Sequence, residues 1–363
     1  MQPTVHPATP ALVIDDVTKV YSQWQRSGKI QDIWKNMFHP EKRDVTALDH
    51  LSLTIEPGEF AAYAGANGAG KSTTIKILSG ILQPTSGSVS VLGMNPAKDR
   101  IPLMRRAGVL FGQRTELWWD QPVITSFEWK KTVWNIPDDV YKRNLEMVTE
   151  LLDLQDLLKT FSRELSLGQR MRADIAMLLL HSPEIIFLDE PTLGLDVLAK
   201  QQMIRFLKQL NAEKHTTIIV TSHDMDDLEE MAKRITLLNK GTIAFDGSFE
   251  KLRQASGGGC RVCITSRAKL PEIPGLTALE ASGSSSAASN KITYPADSNI
   301  CQPQTPAHIQ QEFEFNPDKL EIHQLLGLLA NYPDILDVEI KKAPIEDVIA
   351  KLYTTAFQGF QKM

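Results

Sequence analysis

Nine residues, Gly65 to Thr73, read GANGAGKST; a strand-like run, FAAYA, leads into them and a helical run, TTIKILSGIL, leads out. In that context the spacing G-x-x-x-x-G-K-[S/T] describes a loop whose backbone N–H groups converge on phosphate oxygens at the positive end of a helix. The glycines Gly65, Gly68 and Gly70 let the backbone curl between Ala66, Asn67 and Ala69. Lys71 would then sit against the β- and γ-phosphates of a nucleotide and the Ser72 hydroxyl would ligate Mg²⁺, with Thr73 the last nucleotide-binding residue of the motif. A strand that turns into a helix in this way is the building unit of a largely parallel α/β sheet. The alternation of short β-rich and helical runs from Ala11 to about Ala255 extends that unit into a domain.

A second motif supplies the chemistry. IIFLDEP, Ile185 to Pro191, is a buried strand that ends in two acids. Four apolar residues account for a core strand, but adjacent carboxylates at its C-terminal end need another reason, and ligands of α/β sheets bind at that end. Asp189 would hold Mg²⁺ through its water shell, and Glu190 would polarise a water attacking the terminal phosphate. A nucleoside triphosphate and Mg²⁺ are the implied cofactors.

Composition removes other classes. With 42% hydrophobic and 23% charged residues the chain is globular, and its 363 residues allow roughly two domains. Its formal charge of −5 offers nucleic acid no general attraction, so no nucleic acid partner is expected. Cys260 and Cys263 form an isolated C-x-x-C with no second Cys/His pair to complete a metal site, and a reducing cytosol fits the cysteine usage. The apolar runs fall short of the ~20 residues needed to span a bilayer, and the start, MQPTVHPATP, lacks the regions of a secretion signal. Past Ala255 the composition changes. SGGG at Ser256–Gly259 reads as a linker, and ASGSSSAASN at Ala281–Asn290 is a low-complexity loop. The surrounding strand patterns (260–265, 291–294, 312–315, 335–340) and helical patterns (320–330, 344–360) predict a small α+β domain over 256–363.

LSLGQRMR, Leu165 to Arg172, begins 24 residues before Asp189 and resembles the signature of the ATP-binding-cassette (ABC) ATPases, with Leu167 departing from the commonest form. The resemblance covers about Leu12 to Ala255. It implies a P-loop NTPase cassette made of a RecA-like core, a helical subdomain and a β-subdomain, with the small α+β domain appended. It further implies that Gln113 in LFGQ touches Mg²⁺ and the attacking water, that His223 contacts the γ-phosphate, that Asp196 in LGLD is the D-loop acid, and that Tyr21 stacks on adenine. Cassettes of this family close head to tail, so Ser166, Leu167, Gly168 and Gln169 of one would complete the phosphate site of a second ABC ATPase subunit, most simply an identical one.

Among such proteins, FGQRTELWWD at Phe111–Asp120 together with LSLGQRMR resembles a subgroup of type-2 exporter ATPases. That likeness implies an ATPase at the cytoplasmic face of the cell membrane, attached through two permease subunits that can differ from each other. All six tryptophans lie either at Trp24 and Trp34 or just after Gln113, where the family receives its permease. A soluble ABC ATPase acting on another macromolecule is the alternative. It fits less well, because no second cassette or long coiled coil is present; a non-hydrolysing module conflicts with Glu190 and His223. Between two strand-like runs, Ser22 to Asp44 reads as an insert in which Ile30, Ile33, Trp34, Met37 and Phe38 form one apolar helical face with basic flanks. It occupies the place of an amphipathic gate helix in polysaccharide-exporting relatives; packing on its own domain is the other reading.

Overall fold

Strands β1 (Leu12–Trp24) and β2 (Lys42–Ile55) form a long antiparallel hairpin, and β4 (Ser86–Val91) adds to the other edge of β1. The computed structural model describes residues 9–24, 42–112, 114–255, 259–279, 309–315 and 320–350. The expected insert at Ser22–Asp44 is narrower than its sequence pattern. Ser22 pairs with Asp44 and Gln23 with Arg43 in the hairpin ladder, and the Ser22 hydroxyl donates to Asp44 Oδ1 at 2.6 Å. Backbone pairing therefore claims both ends of the segment, and the apolar face at Ile30–Phe38 lies outside the described residues.

The second sheet has six strands in the order β5-β6-β7-β3-β8-β9: β3 is Phe60–Gly65, β5 Ala107–Phe111, β6 Ile185–Asp189, β7 Thr217–Thr221, β8 Arg234–Asn239 and β9 Thr242–Ser248. All neighbours are parallel except β8 and β9. β3 and β7 are buried at every position, which is why FAAYAG and TIIVT show no polar alternation: both faces of an inner parallel strand are covered. Helix α1 (Lys71–Leu78) links the two sheets into one core. Leu12, Leu51 and Val91 of the antiparallel sheet, Ile75 and Leu78 of α1 and Phe187 of β6 are buried in the same cluster. Each such side chain contributes ~1.5–3 kcal/mol to folding.

After the short helix α2 (Arg100–Met104) and β5, the chain leaves the sheet through α3 (Val123–Trp134) and α4 (Asp138–Leu151) and returns along α5 (Leu167–Leu179). Phe127 and Val148 are fully buried in this helical region. Helices α6 (Val197–Lys214) and α7 (Met225–Met231) then flank β7.

The chain divides into two units, Met1–Phe249 and Glu250–Met363. The division falls ahead of the glycine linker rather than at it: within helix α8 (Phe249–Ala255), Arg253 donates to the Ala343 carbonyl of the second unit. In that unit β10 (Cys260–Ser266), β11 (Thr277–Ala278), β12 (Ile309–Phe315) and β13 (Ile335–Lys342) form an antiparallel sheet in the order β11-β12-β10-β13, with α9 (Ile322–Leu329) packed on it. Val262, Ile264, Phe313, Phe315, Leu325 and Leu329 make its core. The two-residue strand β11 carries no alternation that a pattern could reveal, and residues 291–294 and Cys301 lie outside the described residues. Cys260 and Cys263, three apart on β10, belong to opposite faces of the sheet.

Candidate functional site

Strand β3 ends at Gly65 and the chain wraps from Ala66 to Gly70 before α1 begins at Lys71. The wrap is closed by Ala69 N–H donating to the Ala66 carbonyl at 3.0 Å, and α1 starts when Thr74 N–H reaches the Gly70 carbonyl at 2.9 Å. Gly70 has φ 112°, and a Cβ there would sit 2.6 Å from Leu48 Cδ2 and 2.7 Å from the Ala47 oxygen, so a glycine is required. The Lys71 ammonium lies inside the curl, 6% exposed, and donates to the carbonyls of Gly65 at 2.6 Å and Ala66 at 3.2 Å. Burial lowers its pKa, against the pull of Glu190 and Asp189. A buried cation at the start of a helix is suited to an anion such as phosphate.

Strand β6 delivers the acids to the same place. Ser72, the second residue of α1, donates its hydroxyl to Asp189 Oδ2 at 3.1 Å, and Thr221 at the end of β7 donates to Asp189 Oδ1 at 2.6 Å. Both carboxylate oxygens are thus oriented by hydroxyls. Glu190 follows in the left-handed region, φ 57°, a conformation that costs a non-glycine residue ~1–3 kcal/mol. Its N–H is held by the Thr221 carbonyl and hydroxyl, each at 3.1 Å. The strained turn directs the side chain toward His223, whose Nε2 is 2.5 Å from Glu190 Oε1. Lys200 fixes the loop beyond the histidine through Asp224 at 2.7 Å and Asp227 at 3.1 Å. Gln113 lies outside the described residues; its neighbour Gly112 donates to the Asp189 carbonyl at 2.9 Å.

Ser72 and Asp189 are oxygen donors suited to Mg²⁺, which binds through one or two protein oxygens, waters and substrate phosphates rather than a full protein cage. The structure therefore brings Lys71, Ser72, Asp189, Glu190 and His223 into one cluster.

Ser166 and Gln169 are elsewhere. They cap α5: Gln169 N–H donates to the Ser166 hydroxyl at 3.3 Å, and Ser166 N–H to Gln169 Oε1 at 2.9 Å. Among the described residues no hydrogen bond joins this pair to the phosphate loop. Leu167 and Gly168 lie instead against Gly194 and Ala199, and Asp196 caps α6 by accepting from Ala199 N–H at 2.8 Å. Leu193, Val197 and Leu198 beside them are exposed.

Residues 48–193 match the family described as ABC transporter. NatA, an ABC transporter ATP-binding protein of Bacillus subtilis (strain 168), is 30% identical over 218 residues, covering 60% of this chain and 88% of NatA. This chain belongs to the ABC transporter ATP-binding family. ABC transporter A family member 1 of Dictyostelium discoideum is 33% identical over 239 residues, 66% of this chain but only 27% of that relative's length. Among solved structures, a dimeric ATP-binding cassette in a post-hydrolysis state bound to ADP and Pi superposes with TM-score 0.54 at 24% identity, over 65% of this chain and 98% of the other; it shows the same fold. The family's cassettes bind ATP with Mg²⁺ and hydrolyse it, and the phosphate loop with its acid cluster is the part of this ABC ATPase suited to that work.

Tyr21 of the cassette is half-buried on β1, paired with Val45, with Lys19 Nζ 5.4 Å from its ring centre. On the helical region Trp118, Trp119 and Trp129 are exposed; the rings of Trp118 and Trp129 meet tilted, with centres 5.5 Å apart, and Arg170 sits 4.7 Å over Trp119. One residue outside the motifs, Thr221, is bonded into this cluster. Thr221 is invisible locally, since its role comes from its register opposite Asp189; a threonine two residues before His223 is the only signal. Asp174 of α5 is buried, and burial pushes its carboxyl up to about 6, against hydrogen bonds from Glu116 and Thr115.

Since that folded-state pKa exceeds the unfolded value, the contribution of Asp174 to stability is complete below about pH 4 and is lost as pH rises through about 6. At neutral pH the buried charge costs ~3 kcal/mol. Asp174→Asn keeps an acceptor oxygen without the charge. Thermal unfolding should show a Tm above wild type by a few degrees at pH 7.5 and no gain at pH 4; a lower Tm at pH 7.5 would contradict the assignment.

Proposed function

We propose that this chain is the ATP-hydrolysing subunit of an ABC exporter, working as a homodimer that drives two separate permease subunits from the cytoplasmic face of the cell membrane. The observation that carries the reading is the cluster around Asp189. A hydroxyl and a carboxylate placed for Mg²⁺ lie beside a buried lysine placed for phosphate, and a second carboxylate, held on a strained turn, is paired with a histidine.

In this reading the Gly65–Thr73 loop and Lys71 bind the phosphates, Tyr21 stacks on adenine, and Ser72, Gln113 and Asp189 hold Mg²⁺. The ion, when bound, neutralises charge on the β- and γ-phosphates. Glu190 takes the proton of the attacking water, and His223 orients Glu190 and the terminal phosphate. Ser166, Leu167, Gly168 and Gln169 at the start of α5, with Asp196 and the exposed Leu193, Val197 and Leu198 beside them, supply the face that meets the partner cassette. Leu193, Val197 and Leu198 are exposed there, and among the described residues no hydrogen bond ties Ser166 or Gln169 to their own chain's phosphate loop. The exposed tryptophans supply the surface for a permease, as aromatic side chains are enriched in interface centres.

Export rests on the likeness of FGQRTELWWD and LSLGQRMR to exporter ATPases. The relatives do not set direction: they include a bacitracin transport protein, BcrA of Bacillus licheniformis, and a methionine import protein, MetN of Carboxydothermus hydrogenoformans. We read Glu250–Met363 as an accessory domain. No helix among the described residues is long and apolar enough to cross a membrane, so a membrane path belongs to other chains or segments in this reading.

Mixing two defective chains tests the dimer. Ser166→Arg spoils the signature end and leaves the phosphate loop intact, while Lys71→Ala does the reverse. Each alone should be inactive. Their mixture contains dimers with one complete composite site, so phosphate release should reappear on mixing. A mixture as inactive as its components would argue for a site built within one chain.

A further inference from the structure

Asp174 lies about two turns along α5 from Ser166, with 6% of its surface exposed. Its Oδ1 accepts two hydrogen bonds from outside the helix, from the Thr115 hydroxyl at 2.9 Å and the Glu116 N–H at 3.0 Å. The Thr115 hydroxyl in turn accepts from Leu117 N–H at 3.1 Å, which makes a closed turn of the three residues. Three residues earlier, Gly112 N–H donates to the Asp189 carbonyl at 2.9 Å. The segment that leaves β5 is therefore anchored twice: at Gly112 to the strand that carries Asp189 and Glu190, and at Thr115–Glu116 to the helix that begins with Ser166.

Packing does not ask for a carboxylate here. The neighbours of Asp174 on α5, Ala173, Ile175, Ala176 and Met177, are all buried and apolar. The charged groups that face it are Glu116 on the bonded segment, Lys130 on α3, which pairs with Glu116 at 3.4 Å, and Arg170 on its own helix. None forms an ion pair with it among the described residues. What the carboxylate adds is an acceptor for two donors of another segment.

We propose that Asp174 is a positioning residue that couples the signature end of α5 to the segment anchored at Gly112 and at Thr115–Glu116, so that displacement of α5 by a partner cassette is passed to that segment. This rests on the roles given above to Ser166–Gln169 and Gln113. Asp174 touches no reacting atom; it sets where the segment stands when α5 has moved.

The test is steady-state ATP hydrolysis by the full-length chain with three substitutions. Asp174→Ala removes the acceptor, Asp174→Asn retains an oxygen for both donors, and Thr115→Val removes one donor at nearly constant shape. A coupling that acts in the closed, reacting state lowers kcat without weakening nucleotide binding, so Asp174→Ala should lose about tenfold or more in kcat with KM for MgATP within about twofold. Asp174→Asn should recover to within about threefold of wild type, and Thr115→Val should fall between. If Asp174→Ala fails to fold, Thr115→Val carries the test through the same kcat and KM readings. Wild-type kcat in Asp174→Ala, or in Thr115→Val where that variant stands alone, would overturn the proposal, as would a loss that Asp174→Asn does not recover or one confined to KM. Absence of turnover in the wild-type chain would remove the ATPase reading itself and the coupling with it, whereas active wild type with equally active variants removes the coupling alone.

Discussion

Glu190→Gln should lower the rate of ATP hydrolysis by about 10²–10⁴ while leaving MgATP bound. The amide keeps the shape of the side chain and can still meet His223, which lies 2.5 Å from Glu190 Oε1 in the native site. It cannot accept a proton from water. Nor does it disturb the phosphate loop, because Lys71 is held by the carbonyls of Gly65 and Ala66 and Asp189 by Ser72 and Thr221. The backbone at 190 keeps its two hydrogen bonds to Thr221 and so its left-handed turn. Two readings on one sample check this: phosphate release at saturating MgATP, and nucleotide retained after gel filtration. Retained nucleotide with lost turnover assigns the proton acceptor to Glu190. Near-normal turnover would place it elsewhere.

Much of this site could be read from local sequence, because its parts are local devices. The strand, the glycine loop and the first turn of α1 are contiguous, and the buried β3 and the first four residues of β6 appear as apolar runs. A capping box is likewise written in a few residues, and Ser166 with Gln169 forms one. What stayed hidden depends on register between distant strands or on competition between elements. Thr221 meets Asp189 only because β6 and β7 are parallel neighbours in that register. Asp174 reads as one polar residue in an apolar helical run, and its donors are 58 and 59 residues away. At the insert, β1 and β2 continue their pairing to Trp24 and Lys42 and take both flanks of Ser22–Asp44 into the hairpin, which depends on two segments distant in sequence. In the second unit the core strands follow period-two alternation, with Val262 and Ile264 in one buried cluster with Phe313 and Phe315, whereas β11 is too short to have a period.

Calorimetric titration of MgATP into the full-length chain and into Lys71→Ala tests the central claim most directly, that the loop at Gly65–Thr73 holds the nucleotide. Lys71 is buried, its pKa is lowered by loss of water, and its ammonium is held at the loop by the carbonyls of Gly65 and Ala66. Hydrogen bonds to a charged group in such a setting contribute ~1.5–3 kcal/mol each, or about 10- to 150-fold in affinity for one bond. The substitution leaves the glycine geometry alone, since the turn is set by Gly70 and by the bond from Thr74 N–H to the Gly70 carbonyl. Wild type should bind MgATP, and Lys71→Ala should bind at least tenfold more weakly with an unchanged melting profile. Equal affinities in the two proteins, or no binding by wild type, would contradict the account.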